Sequence, residues 1–190
     1  MSEIKQRILA CARDCFLKEG LSYFSMRKVA GCVGVSATAL YRHYDDREAL
    51  LFHVILEGFR IFSGYLNRVD ESQEPGVVLE ETTTAYLNFA LAEPAYYEVM
   101  FMTSEQMTGL KRINKEGAGQ VKGTFDLLHQ RVRAAMEAGV LDRDDAYMIA
   151  YGIWAYAHGQ ISLYLCGRTG MGQSSFVDTY KRLMRHYLYH

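Results

Sequence analysis

Between Ser25 and Tyr44 the sequence SMRKVAGCVGVSATALYRHY carries three full positive charges, Arg27, Lys28 and Arg42, and no Asp or Glu. Thr38, Tyr41 and His43 stand among them as further hydrogen-bond donors. Donors in this mixture suit an anionic polymer: cations hold phosphate oxygens, while hydroxyl, imidazole and guanidinium groups reach phosphates or base edges. Ala37 is small enough for close approach to a thymine methyl, and Ser36 precedes it as an oxygen able to cap a helix. Arg47 follows at the start of another apolar-periodic run, where helix N–H groups and a guanidinium together hold a phosphate. The plainer alternative is a helical hairpin that packs and leaves its basic face in water.

The rest of the chain offers less chemistry. His158 lies four residues from both Trp154 and Ser162, a spacing that suits a buried base, a ligand contact or a hydrogen-bonded core histidine. No nucleophile elbow, phosphate loop or HExxH motif occurs, so no catalytic residues and no enzyme activity are expected. His186 and His190 are four apart near the end without a carboxylate or cysteine beside them, and they read as surface groups. Neither a metal site nor a cofactor is expected. Cys11, Cys15, Cys32 and Cys166 form no CxxC pair, and they are expected to be small buried side chains in a reducing compartment, with a redox switch as the alternative.

The elements that position the donors follow from spacing. Met26, Val29, Ala30 and Val33 mark one face of a two-turn helix, which Gly34 interrupts. Ser36 then starts a second helix, Ala37 to Tyr44, with Thr38, Tyr41, Arg42 and His43 facing outward. Two short helices around such a turn make a helix-turn-helix, whose second member enters the DNA major groove. A first helix over Ser2 to Gly20, with Ile4, Ile8, Ala12 and Phe16 every fourth residue, completes a three-helix unit. Asp45 to Val69 predicts one long helix opened by an Asp45-x-x-Glu48 box.

These residues resemble the N-terminal domain of the tetracycline-repressor-like (TetR) family of transcriptional regulators. The resemblance is carried by Val29-Ala30, Gly34-Val35-Ser36, Leu40-Tyr41-Arg42-His43-Tyr44 and Arg47-Glu48-Ala49-Leu50-Leu51. Two positions depart from the family pattern: Ala39 stands where Thr is usual, and Arg47 where Lys is usual. Arg keeps the charge a phosphate contact needs.

With 190 residues and 49% hydrophobic content the chain suits a small domain followed by a larger one. Net charge is −1, divided as eight Lys/Arg against six Asp/Glu in the first 50 residues and 13 against 16 thereafter. A locally basic reader on an acidic body excludes a general nucleic-acid coat and fits a sequence-specific binder. Glu3, Lys5, Arg7 and Arg13 interrupt any N-terminal apolar run, so a cytoplasmic protein is expected.

Beyond the linker Asp70 to Gly76, helices are predicted over Val77 to Ala92, from Val121 or Gly123 to Ala138, and over Ser175 to Tyr189. Gly109 to Gly123 reads as a loop. Ala146 to Gly167 runs 22 residues without a charge; its glycines, His158, Gln160 and Ser162 favour a buried central helix over a membrane span. Tyr86-x-x-Phe89-Ala90, Pro94 with Tyr97, Met100-Phe101 and Trp154-x-x-x-His158-Gly159 are similar to the Trp-His-Gly subgroup of TetR C-terminal domains. That resemblance implies a helical domain that binds a ligand and dimerises.

The expectation is therefore an all-α protein, with a helix-turn-helix domain at 1–47 and a ligand-binding and dimerisation domain at 48–190. Its function would be ligand-responsive repression, with release of a palindromic operator when a small molecule binds. Arg27, Ser36, Ala37, Thr38, Tyr41, Arg42, His43 and Arg47 are the expected DNA contacts. Tyr86, Phe89, Tyr97, Met100, Phe101, Phe125, Leu128, Trp154 and His158 are the expected effector contacts. Phe176, Tyr180, Leu183, Met184 and Tyr187 form the expected homodimer stripe. A helical small-molecule binder without DNA function is the first alternative, and an enzyme the second.

Overall fold

A computed structural model describes residues 3–20, 23–103, 115–142 and 144–189. Among them regular structure is entirely helical: α1 (Glu3–Glu19), α2 (Met26–Val33), α3 (Ala37–Tyr41), α4 (Arg47–Leu66), α5 (Pro75–Ala92), α6 (Pro94–Tyr97), a π-helical turn (Glu98–Met102), α7 (Lys115–Glu137), α8 (Ala146–Leu165) and α9 (Gln173–Tyr189). The chain packs as two compact units, Met1–Phe59 with Ala95–Ala118 and Arg60–Pro94 with Gly119–His190.

In the first unit α1 and α2 pack through the faces their periodicity predicts. Ile8, Ala12 and Phe16 are buried, as are Met26, Val29, Ala30 and Val33. A guanidinium N–H of Arg7 donates to the Val33 carbonyl at 2.9 Å, and Lys28 pairs with Glu19. Ser25 caps α2 by accepting from the Lys28 N–H. The turn requires Gly34: its φ is +79°, which lets it donate to Ala30 and Gly31 while Val35 also reaches the Ala30 carbonyl. Further on, a Cβ at Gly58 of α4 would meet Met100 Sδ at 2.5 Å and Tyr96 at 2.9 Å. Only glycine there lets α6 and the π-helical turn lie against the helix.

Two boundaries in this unit differ from the sequence expectation. The α-helix after the turn ends at Tyr41, not Tyr44. Arg42 and His43 continue it as tighter turns, donating to Ala39 and Leu40, and Tyr44 is drawn into the core at 3% exposure. Asp46, not Asp45, caps α4, because the helix starts at Arg47 and only Asp46 Oδ1 reaches the Ala49 N–H, at 2.7 Å.

Among the described residues of the second unit one charged side chain, Arg131, is buried within the apolar core. Arg131, 4% exposed, donates to Glu71 at 2.9 Å, Thr82 Oγ1 at 2.9 Å and the Leu66 carbonyl at 3.0 Å. It ties the end of α4, the following loop, α5 and α7 together. Pro75 opens α5 at its first turn, where the missing N–H costs nothing. The Tyr180 hydroxyl donates to the Thr83 carbonyl at 2.9 Å, and Tyr164 stacks on Phe176.

Here too the structure corrects the sequence. Residues 115–120, expected as loop, are the first turns of α7; isolated glycines cost a helix about 1 kcal/mol each and need not end it. Residues 109–114 of that expected loop lie outside the described residues. Helix α8 is not buried on all sides. Ala150, Ile153, Ala157 and Ile161 bury a single stripe, while Tyr147, Met148, Tyr151 and Leu163 face outward. Among the described residues one helix, Arg47–Leu66, is long and apolar enough by composition to cross a membrane, and half of it is buried within the protein.

Candidate nucleic-acid interface

The second helix of the turn is held from below and open above. Leu40 is fully buried and Tyr44 nearly so; each such side chain contributes roughly 1.5–3 kcal/mol of burial. Burial also pushes the Tyr44 phenol up to about 12. Ser36 Oγ accepts from the Ala39 N–H at 3.1 Å, which supplies the N-cap a five-residue helix needs. On the other side Thr38, Tyr41 and Arg42, spaced i, i+3, i+4, are exposed. Arg27 is exposed on α2, Ser36 is exposed beside the turn, and Ala37 and His43 are partly covered. Lys28 also lies 5.5 Å over the Tyr23 ring.

Arg47 has a different setting from the other seven. Its Nε donates to the Phe24 carbonyl at 2.9 Å, and the guanidinium sits 5.6 Å over the Phe24 ring. The side chain thus braces the approach to α2 as well as standing at the start of α4. Nothing local in the sequence marks that bond, which joins positions 23 residues apart.

The expected effector residues fall into both units. Tyr97, Met100 and Phe101 pack in the first, with Phe101 edge-on to Phe59 and tilted against Tyr97. In the second, Phe89 is fully buried against Phe62 and Tyr65 and serves as core. Tyr86, Phe125, Trp154 and His158 form a connected cluster there, and Leu128 on α7 is half-buried. Phe125 meets Trp154 edge-on at 6.2 Å between ring centroids, and Trp154 lies 6.2 Å from the His158 ring. The Tyr86 hydroxyl is 3.3 Å from His158 Nδ1, and Ser162 Oγ is 3.2 Å from Nε2. Burial lowers the His158 pKa, which favours the neutral ring. Both hydroxyls can donate or accept, so the chain of bonds suits either tautomer.

The expected dimer stripe divides. Phe176, Tyr180 and Met184 are at most 3% exposed and belong to the core of the second unit. Leu183 and Tyr187 are 38% and 43% exposed on the adjoining edge of the same stripe of α9. The apolar periodicity of α9 is shared by two neighbouring faces, and tertiary packing takes one of them. Tyr187 stacks on Tyr156 of α8, with centroids 4.6 Å apart, which joins the outward faces of the two helices.

Residues 8–54 match the family described as bacterial regulatory proteins, tetR family. Residues 79–187 match one described as tetracyclin repressor-like, C-terminal domain. An HTH-type transcriptional regulator from Staphylococcus aureus (strain USA300) is 28% identical over 85 residues, which is 45% of this chain. The matched part spans 46% of that curated relative's length. A protein of unknown function from Rhodococcus sp. RHA1 superposes with a TM-score of 0.80 at 26% identity, covering 100% of this chain and 97% of that one. The TetR family transcriptional regulator PfmR from Thermus thermophilus shares the fold at 18% identity, with a TM-score of 0.73 and coverage of 96% and 97%. With the C-terminal match alone spanning more than half of its length, this chain belongs to the tetR family of bacterial regulatory proteins.

Proposed function

We propose that the protein is a dimeric, DNA-binding transcriptional repressor of the cell interior that releases a palindromic operator when a small molecule binds. The observation that carries the reading is the exposed donor face of α3 above a buried Leu40 and Tyr44. In this proposal residues 1–47 read DNA, and 48–190 bind effector and dimerise. Thr38, Tyr41, Arg42 and His43 face the major groove, Ala37 approaches a thymine, Ser36 holds the helix start, and Arg27 reaches base or phosphate. Arg47 contacts a phosphate from the start of α4. No catalytic role is assigned to any residue.

The dimer is proposed on the outward faces of α8 and α9, around Tyr151, Leu163, Leu183 and Tyr187. A twofold dimer places two readers on half-sites one helical turn or more apart, which makes operator symmetry follow from protein symmetry. The effector site is proposed at Tyr86, Phe125, Trp154 and His158, with Leu128 alongside. Such a site takes an uncharged or weakly charged, partly aromatic or aliphatic compound. The Trp154-x-x-x-His158-Gly159 spacing supports placing this domain in the Trp-His-Gly subgroup. An effector shifts operator affinity only by its differential affinity for two states, typically about 1–3 kcal/mol.

Footprinting and salt titration on DNA upstream of the protein's own coding sequence test the reading. A protected palindrome is expected, with affinity falling steeply as salt rises. Substituting Tyr41→Ala should relax sequence preference, whereas Arg27→Ala at a phosphate lowers the salt slope by about one. Absence of any protected site would sink the proposal and favour a helical binding protein without DNA function. Compounds found through Trp154 fluorescence should release the operator; ligands without that effect are not inducers.

A further inference from the structure

Cysteine placement departs most from the sequence expectation. Cys11 of α1 and Cys32 of α2 are disulfide-bonded, with Cα atoms 5.8 Å apart, a usual separation for a bridge. Neither is a buried small hydrophobe: Cys32 is exposed on α2 and Cys11 is only partly covered. They face each other because α1 crosses α2 at that point, a juxtaposition that a separation of 21 residues hides. Cys15, one turn along α1, remains a thiol. Burial pushes its pKa up, which makes it a weak competitor for exchange.

The bond joins two helices that already hold together without it. Ile8, Ala12, Val29 and Val33 are buried there, Arg7 donates to Val33, and Lys28 pairs with Glu19. These contacts do not involve either sulfur, so the reader is expected to stay folded when the bridge opens. DNA is met in a reducing compartment, where lasting structural disulfides are rare and accessible ones are transient or sensing.

We propose that Cys11 and Cys32 are a reversible dithiol–disulfide pair that staples α1 to α2, and that closing it strengthens the reader's hold on DNA. The inference rests on the DNA-reading role proposed above. The oxidant is a low-molecular-weight disulfide, RSSR. The exposed Cys32 loses its proton to solvent and attacks one sulfur of RSSR, forming a mixed disulfide and expelling RS⁻, which takes up a proton. Cys11 thiolate then attacks Cys32 Sγ, forming the protein disulfide and releasing a second RSH. Two protein thiols are oxidised and one RSSR is reduced to two RSH; excess RSH reverses both steps. Helix α3 hangs from α2 through the Gly34 turn, so fixing α2 on α1 preorganises the recognition helix and lowers the ordering cost of binding.

The test uses the full chain carrying Cys166→Ser, which removes the exposed thiol of the second unit. The protein is equilibrated with reduced and oxidised glutathione in varying ratio, alkylated and mapped by mass spectrometry. The Cys11–Cys32 peptide should close with oxidised glutathione and reopen fully in millimolar reduced glutathione, with Cys15 alkylated throughout. The closed form should melt at higher temperature and bind a duplex from its own upstream DNA at least about threefold more tightly. Adding Cys32→Ser should erase every redox difference while helicity by circular dichroism stays unchanged. A bridge that never closes, one that survives millimolar reduced glutathione, or equal or weaker DNA binding in the closed form overturns the proposal. Failure of both forms to bind any DNA removes the repressor reading and the proposed effect on DNA together. In that event trapping and melting still separate a reversible staple from a permanent one.

Discussion

Helices α3 and α8 solve opposite problems. α3 has five residues and buries Leu40, yet its exposed side is polar and needs no partner to be stable in water. α8 has twenty residues and buries one stripe of alanine and isoleucine, leaving Tyr147, Met148, Tyr151 and Leu163 outward. The first is short enough to depend on a cap and two anchors. The second is secure as a helix but leaves apolar surface uncovered. A polar exposed face points to an anionic or aqueous partner, and an apolar one to another protein surface.

The sharpest way to break this contrast is at the apolar face. Leu183→Glu with Tyr187→Glu should give a folded monomer in light scattering, with operator affinity reduced about 100-fold or more through lost avidity. A double mutant that stays dimeric would place the interface elsewhere. Next in size, Arg131→Ala should destabilise the second unit by about 3 kcal/mol, because Thr82 and the Leu66 carbonyl lose a buried charged donor. Trp154 fluorescence in urea reads that unit directly, since it is the one tryptophan of the chain. An unchanged midpoint would remove Arg131 from its central role.

At the polar helix, Ser36→Ala should cost about 1 kcal/mol of reader stability and Ser36→Gly only a few tenths. Faster hydrogen exchange at the Ala39 amide would report the lost cap, whereas equal exchange in both variants would show α3 held by its anchors alone. The smallest effect concerns pH. Burial depresses the folded-state pKa of His158 below the ordinary 6.5. Its contribution is therefore fully present above about pH 6.5 and is lost as pH falls through the lower folded value. Thermal stability should decline gently below that pH, and Trp154 fluorescence should titrate in step as the neighbouring ring charges. His158→Asn should abolish the fluorescence step; a step that persists belongs to another group.

Much of the reader was legible in the sequence because its determinants are local. Ser36 caps the helix that begins one residue later, and Gly34 adopts the left-handed conformation at the turn. Each of these depends on atoms within four or five residues, a range that spacing and residue type describe. The TetR resemblance drew on the same stretch. The choice between Asp45 and Asp46 as cap depended on where α4 begins, which the D-x-x-E pattern at Asp45 misplaced by one residue.

The sequence by itself determined the all-α class, the helix-turn-helix and the periodic faces, because helical hydrogen bonds and caps act over a few residues. Only tertiary structure decided which of two apolar faces α9 buries, separating Phe176, Tyr180 and Met184 from Leu183 and Tyr187. It also decided that Arg131 is the buried tie of the second unit, that Arg47 braces Phe24, and that Cys11 meets Cys32. Those contacts join residues 65, 23 and 21 positions apart. Their energy depends on how helices cross in space, and residue type and spacing along one helix carry no record of the crossing.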